Sequence, residues 1–148
     1  MKIALGSDHG GFHLKNAVKK HLEEKGFETY DFGTYSLESC DYPDYAERVA
    51  EAVVSGEYDF GVLVCGTGLG ISIAANKVKG VIAAPVSDTF SAEMAKKHNN
   101  ANILAMGERV VGEGLAMKIV DAFFDASFEG GRHEKRVNKI KAIESKNL

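Results

Sequence analysis

The sequence alternates short apolar or β-branched runs with longer amphipathic stretches from its first residues to its last. The hydrophobic pattern predicts five strands, at residues 2–6, 27–32, 60–65, 80–86 and 102–106. It predicts six helices, at residues 13–25, 43–53 (with Pro43 at the start), 71–78, 89–98, 113–124 and about 134–145. Such alternation is typical of a parallel sheet with helices on both faces. We therefore expect an α/β fold, a three-layer α/β/α sandwich with a five-stranded, parallel, Rossmann-like sheet and a C-terminal helix.

Length, composition and charge narrow the class of protein. The 148 residues fit a single domain, which we expect to span positions 1–148, and the 45% hydrophobic content argues against disorder. Only two cysteines are present, and we find neither an apolar run of about 18 residues nor a leader peptide, so we expect a cytoplasmic protein with no membrane association. The net charge of −3 argues against a nucleic-acid partner. Residues 132–148 nevertheless carry a local charge of +4, which suits a small anion.

Chemistry-bearing residues follow several of the predicted strands. In parallel α/β sheets, ligands bind outside the carboxyl ends of the strands. We expect polar and titratable residues to gather at that edge, together with the end of the fourth helix: Asp8, His9, Cys65, Thr67, His98, Asn99 and Arg109.

The loop after the third strand is rich in glycine. Gly66, Gly68 and Gly70 are spaced two apart, whereas a dinucleotide-binding fingerprint would need a glycine at Ile71, and no Lys-Ser or Lys-Thr pair completes a P-loop. Backbone N–H groups at a helix start suit an anion or a developing oxyanion. A tight strand–helix turn explains the same spacing equally well.

Cys65 and two histidines are the candidates for proton transfer. A cysteine in an apolar strand is commonly a small buried hydrophobe, but Cys65 directly precedes a helix start, where a thiolate is stabilised. His9 and His98 can exchange protons near neutral pH. We interpret Cys40 as incidental, and His13 and His21 as surface residues.

Arg132 and Arg136 lie four residues apart and therefore share one face of the last helix. Two guanidinium groups at a helix start make a phosphate clamp. A solvated basic face is the alternative reading of the same pattern.

Six segments, in this order and at these distances, resemble the B-type ribose-5-phosphate isomerases, a family that includes galactose-6-phosphate and allose-6-phosphate isomerases. They are GSDHGG at 6–11, DYP at 41–43, CGTGLGISIAANK at 65–77, HN at 98–99, GERVV at 107–111 and EGGRH at 129–133. The resemblance covers essentially the whole chain.

The resemblance implies interconversion of ribose 5-phosphate and ribulose 5-phosphate through an enediolate, in the pentose phosphate pathway, without a metal or other cofactor. By the same resemblance, Cys65 is the base with Thr67 beside it, His98 helps to open the sugar ring, and Asp8 supports sugar hydroxyls. The implied oxyanion cradle is the backbone of residues 66–70, including Gly66, Gly68, Leu69 and Gly70. The implied phosphate-binding residues are His9, Arg109, Arg132 and Arg136. Asn99 is implied to contact the substrate.

The family also implies a homodimer with a shared active site, a tetramer being the alternative. Residues 71–75, Phe123, Phe124 and Phe128 are our candidates for the interface. Three other functions stay open: isomerisation of allose or galactose 6-phosphate, non-catalytic binding of a phosphate ligand, and acyl transfer that uses Cys65 as nucleophile together with His98. In the galactose-6-phosphate enzymes the catalytic residues are divided between two different chains, whereas here one chain carries them all.

Overall fold

The computed structural model describes residues 1–147 and contains one five-stranded, fully parallel sheet in the order β2-β1-β3-β5-β4. The strands are β1 (Lys2–Ser7), β2 (Glu28–Asp31), β3 (Phe60–Cys65), β4 (Ala83–Pro85) and β5 (Ile103–Gly107). The helices are α1 (Phe12–Glu24), α2 (Tyr42–Val54), α3 (Leu69–Ala75), α4 (Thr89–Lys97), α5 (Glu113–Phe124) and α6 (Arg132–Lys146). The predicted α/β/α fold is confirmed.

Alternating side chains of the central strands supply two hydrophobic cores, because successive residues of a strand point to opposite faces. On β3, Val62 and Val64 pack with α1, α4 and α5, whereas Leu63 and Cys65 pack with α2 and α3. With both faces covered, the near-continuous apolar run of β3 is buried, as expected for a central parallel strand.

Phe123 and Phe124 lie in the core rather than at an interface. Phe123 is fully buried and Phe124 is 9% exposed, and both rings pack edge-on against Phe60. Our interface prediction is therefore wrong for these two residues, because the last turn of α5 points its apolar face at the sheet. In the 71–75 segment, Ile71 and Ala75 are buried as well, and Ile73 is exposed.

Helix α6 packs least closely on the rest of the chain. Within Arg132–Lys146 only His133 and Val137 are buried, and Ile140 and Ile143 are exposed. A groove lies between this helix and residues 76–82. Among residues 1–147, no helix combines the length and apolar character needed to cross a membrane.

Lys96, on α4, is a charged residue enclosed by aromatic rings. It is 5% exposed, and its Nζ donates to the Phe123 carbonyl at 3.1 Å and lies 4.1 Å from the ring centre of Phe60. Burial lowers the pKa of Lys96 to about 8, and the carboxylate of Asp125 opposes that shift. The protein therefore holds a buried ammonium group below pH 8 and a neutral amine above it.

Lys96→Met is expected to change how stability depends on pH. Between pH 8 and 10.5 the unfolded chain binds the Lys96 proton and the folded chain does not, so the free energy of unfolding of the wild type rises through this range by about 3 kcal/mol from this group. The variant lacks that rise. Urea unfolding of both proteins at pH 7.5 and 10.5 measures the difference, with Lys20→Met, at an exposed position of α1, as the matched control. An equal pH dependence of wild type and Lys96→Met would contradict the prediction.

Candidate active site

The loop after β1 is fixed by Asp8. Its carboxylate Oδ1 accepts a hydrogen bond from the Gly10 N–H at 2.9 Å and caps a single turn of 3-10 helix, His9–Gly11. This turn lies directly against β3, since a Cβ added at Gly11 would lie 2.4 Å from the Val64 carbonyl oxygen. Only glycine fits there, so the GG pair brings Asp8 and His9 to the loop after β3.

Cys65 ends β3 and is 5% exposed. Its Sγ accepts a hydrogen bond from the Gly68 N–H at 3.1 Å, and the Thr67 Oγ1 accepts one from the Leu69 N–H at 3.2 Å. Gly68 has φ +81°, a left-handed conformation that glycine adopts without strain, and an added Cβ there would lie 2.8 Å from the backbone of Met106 in β5. The glycine-rich loop therefore directs one N–H group, that of Gly68, at the Cys65 sulfur.

Arg109 joins this loop from β5. The Arg109 N–H donates to the Gly66 carbonyl at 3.1 Å, and its guanidinium covers Gly66, where an added Cβ would lie 3.7 Å from Nη1. The Glu108 N–H donates to the Cys65 carbonyl at 2.9 Å. A cation predicted to hold phosphate thus lies beside the predicted base.

His9 is oriented by Cys40. The Cys40 N–H donates to the His9 Nδ1 at 3.1 Å, which leaves Nε2 as the protonated nitrogen of the neutral ring. The Cys40 Sγ lies 3.9 Å from the same Nδ1. The backbone N–H of residue 40 makes this hydrogen bond, so our interpretation of the Cys40 thiol as incidental stays a prediction. No short-range pattern indicates this contact between residues 31 positions apart.

His98 and Asn99 lie at the opposite edge of the sheet. Helix α4 follows the carboxyl end of β4 and returns the chain to the amino end of β5. At that end Ile103 pairs with Gly61, whereas at the carboxyl end of β5 Gly107 pairs with Cys65. The Ile103 and Gly107 ends of β5 are four residues apart, which is about 13 Å along the strand at a rise of about 3.3 Å per residue. The expectation that His98 shares an edge with His9 and Cys65 in one chain is wrong, because a helix in a β–α–β unit ends at the amino edge.

The first turn of α6 lies beside His98. The His133 ring stacks on the His98 ring with centroids 4.0 Å apart and an angle of 8°, and the Glu129 N–H donates to the Lys97 carbonyl. Glu129 Oε1 lies 3.4 Å from the Nε2 of both histidines. Burial lowers the pKa of His133, and the charges of His98 and Arg132 lower it further. The sequence predicts no role for Glu129 or His133 beyond the EGGRH segment of the resemblance, although their spacing of four residues was a usable signal.

Within one chain the predicted site is thus divided. We call residues 8–9, 65–70 and 109 the carboxyl-edge half-site, and His98, Asn99, Arg132 and Arg136 the amino-edge half-site. Among residues 1–147, no hydrogen bond or ion pair joins the two. Both arginines are exposed at the start of α6, so their guanidinium groups are accessible to a ligand.

Comparison with known proteins gives consistent results. The sequence profile described as ribose/galactose isomerase matches residues 3–140. Ribose-5-phosphate isomerase B of Escherichia coli is 54% identical over 145 residues, which cover 98% of this chain and 97% of that protein. The structure of Clostridium thermocellum ribose-5-phosphate isomerase B matches with a TM-score of 0.99 at 57% identity, over 100% of both chains. The Mycoplasma genitalium ribose-5-phosphate isomerase B structure with bound ribulose-5-phosphate matches with a TM-score of 0.93 at 44% identity, over 97% of this chain and 96% of that one.

The parallel sheet, the Cys65 loop at its carboxyl edge and these relatives together define a sugar-phosphate aldose–ketose isomerase. The chain belongs to the ribose/galactose isomerase family. The resemblance found in the sequence is confirmed.

Proposed function

We propose that this isomerase interconverts ribose 5-phosphate and ribulose 5-phosphate through an enediolate, with Cys65 as the base. The observation that carries the proposal is the Cys65 sulfur, nearly buried and held by the Gly68 N–H at 3.1 Å. The names of relatives at 54% and 57% identity, both ribose-5-phosphate isomerase B, support the choice of substrate.

The carboxyl-edge half-site carries the chemical step. The Cys65 thiolate takes the proton from C2 of the open-chain aldose, and the electron pair moves into a C1–C2 double bond as negative charge develops on the C1 oxygen. Backbone N–H groups of residues 66–70 stabilise that charge, and the Thr67 hydroxyl lies beside them. The proton of the C2 hydroxyl then moves to the C1 oxygen, a carbonyl forms at C2, and the proton held by Cys65 is returned to C1. The product is the ketose, and no redox partner is needed. Asp8 holds sugar hydroxyls in this scheme.

The amino-edge half-site opens the ring and, with His9 and Arg109, binds the phosphate. His98 exchanges a proton with the furanose ring oxygen, Asn99 contacts the substrate, and Arg132 and Arg136 pair with the phosphate dianion. Such remote binding energy orients the reacting carbons. We favour phosphate binding as the role of Arg132 and Arg136 over the alternative of a solvated basic face. The reason is that the start of α6, which carries both arginines, lies beside His98.

A second copy of the chain completes the site in this proposal. His98 lies at the level of Ile103 and Cys65 at the level of Gly107, so one chain cannot present both to a pentose. The loosely packed α6, with Ile140 and Ile143 exposed, offers an apolar face for a partner. We therefore propose a homodimer with two shared sites, with a tetramer as the alternative, in a reducing cytoplasm where Cys40 and Cys65 stay free.

Allose or galactose 6-phosphate stays the alternative substrate, since the matching family includes both ribose and galactose isomerases. A binding module without catalysis would not need an oriented thiol. Acyl transfer would need Cys65 and His98 in one site, so it would also require two chains, as the isomerase does. Turnover of a thioester would identify this activity.

The proposal is tested by incubating ribose 5-phosphate with the protein in D2O containing EDTA and following the reaction by proton NMR. We expect ribulose 5-phosphate to form with solvent deuterium at C1, because the transferred proton passes through an exchangeable thiol. Six-carbon sugar phosphates run in parallel measure substrate preference. Absence of turnover with every sugar phosphate would overturn the proposal in favour of the binding module.

A further inference from the structure

Three side chains with metal-ligand chemistry converge at the amino edge of the sheet. The ligand atoms of His98, Glu129 and His133 all lie within 4.8 Å of one another, and each imidazole Nε2 is 3.4 Å from Glu129 Oε1. Zinc binds nitrogen and oxygen at about 2.0–2.2 Å, so two ligands of a tetrahedral ion lie about 3.3 Å apart. Two of the three ligand separations therefore already have the values that such an ion requires.

The backbone holds these side chains together. The Glu129 N–H donates at 3.0 Å to the carbonyl of Lys97, the residue before His98. The His133 N–H donates to the Gly130 carbonyl at 3.0 Å, which fixes the first turn of α6. The His133 side chain is 10% exposed, whereas those of His98 and Glu129 are 38% and 49% exposed. The cluster is thus anchored on one side and open on the other, where an ion can enter and keep a water as its fourth ligand.

The ring geometry indicates a site of moderate affinity. The two imidazoles are nearly parallel, so their Nε2 lone pairs do not yet point at one position. Rotation of the more exposed His98 ring about χ2, a torsion with a broad energy profile, turns its lone pair toward the shared position. The positive charge of Arg132 nearby weakens cation binding. Both features lead us to expect weaker binding than that of a structural zinc centre.

We propose that His98, Glu129 and His133 form a binding site for Zn²⁺ or a similar divalent transition-metal ion, and that occupancy of this site inhibits the isomerase. A His98 whose Nε2 is bound to zinc cannot exchange a proton at that atom, so it cannot assist ring opening. The inhibition rests on the function proposed above, whereas the binding does not.

Binding is measured first on the thiol-free variant Cys40→Ser/Cys65→Ser, which excludes zinc bound to sulfur. Calorimetric titration with Zn²⁺ is expected to give one ion per chain, and Co²⁺ is expected to give the visible absorption of a low-symmetry site. Adding Glu129→Gln or His133→Ala should weaken binding at least about tenfold, since even loss of an outer-shell group costs that much. Glu134→Gln, which changes a carboxylate on the same turn of α6 outside the cluster, is the matched control and should leave the affinity unchanged.

Failure to bind, or equal binding in Glu129→Gln and His133→Ala, would overturn the site; circular dichroism identifies any variant that is unfolded. On the wild-type protein, Zn²⁺ should inhibit isomerisation reversibly, with recovery in EDTA, and the inhibiting concentration should rise at least about tenfold in Glu129→Gln. Specific binding without inhibition would overturn the inhibitory role. Specific binding by a protein that turns over no sugar phosphate would contradict the proposed function and support the metal site alone.

Discussion

Cys65→Ser is expected to bind ribose 5-phosphate nearly as the wild type does and to lose turnover by a factor of about 10² to 10⁴, the range that a positioned general base contributes. The serine hydroxyl has nearly the shape of the thiol and can still accept the Gly68 N–H. It is a far weaker acid than a thiol, so its ionised form is scarce at neutral pH. The measurement is steady-state kinetics, with kcat and KM determined separately.

Cys40→Ser is the matched control for this substitution. It also replaces a thiol by a hydroxyl, but the contact of Cys40 with His9 is made by the backbone N–H, which the substitution leaves in place. We expect it to keep kcat close to the wild-type value. If Cys65→Ser turned over as fast as Cys40→Ser, Cys65 would not be the base.

The sequence predicted the layers of the fold better than it predicted the site. Strand β3 and helix α5 lie where the hydrophobic pattern put them, at Phe60–Cys65 and Glu113–Phe124, because burial on one or both faces leaves a clear periodicity. The predicted strand at 80–86 is only Ala83–Pro85 in the structure, where it forms an edge of the sheet. An edge strand has one neighbour, so backbone pairing supports a shorter segment.

The position of His98 could have been derived from the topology. Residues that follow strands lie at the carboxyl edge, whereas residues that follow helices lie at the amino edge, and His98 ends a helix. Contacts that depend on side-chain packing across long separations could not be derived. The stacking of His133 on His98 and the enclosure of Lys96 by Phe60 and Phe123 are of this kind, since no local periodicity encodes them.

Mixing two inactive variants is expected to restore activity. In Cys65→Ser only the carboxyl-edge half-site is damaged, and in His98→Ala only the amino-edge half-site. If each active site takes one half-site from each of two chains, random assembly of an equal mixture gives about a quarter of the sites two intact halves. The mixture, unfolded and refolded together, should therefore recover about a quarter of the wild-type rate, compared with the residual rates of the separate variants.

A control mixture of Cys65→Ser with Arg109→Ala distinguishes complementation between two half-sites from a general gain of activity on refolding. Both substitutions fall in the carboxyl-edge half-site, so no arrangement of the two chains yields an intact carboxyl-edge half-site and the activity should stay at the residual level. Recovery in the first mixture and not in the second would require Cys65 and His98 to act from different chains, as we propose from their positions at opposite edges of the sheet. No recovery in either mixture, from chains that refold and associate, would mean that each chain forms its site alone, and the assignment of His98 to ring opening would then be wrong.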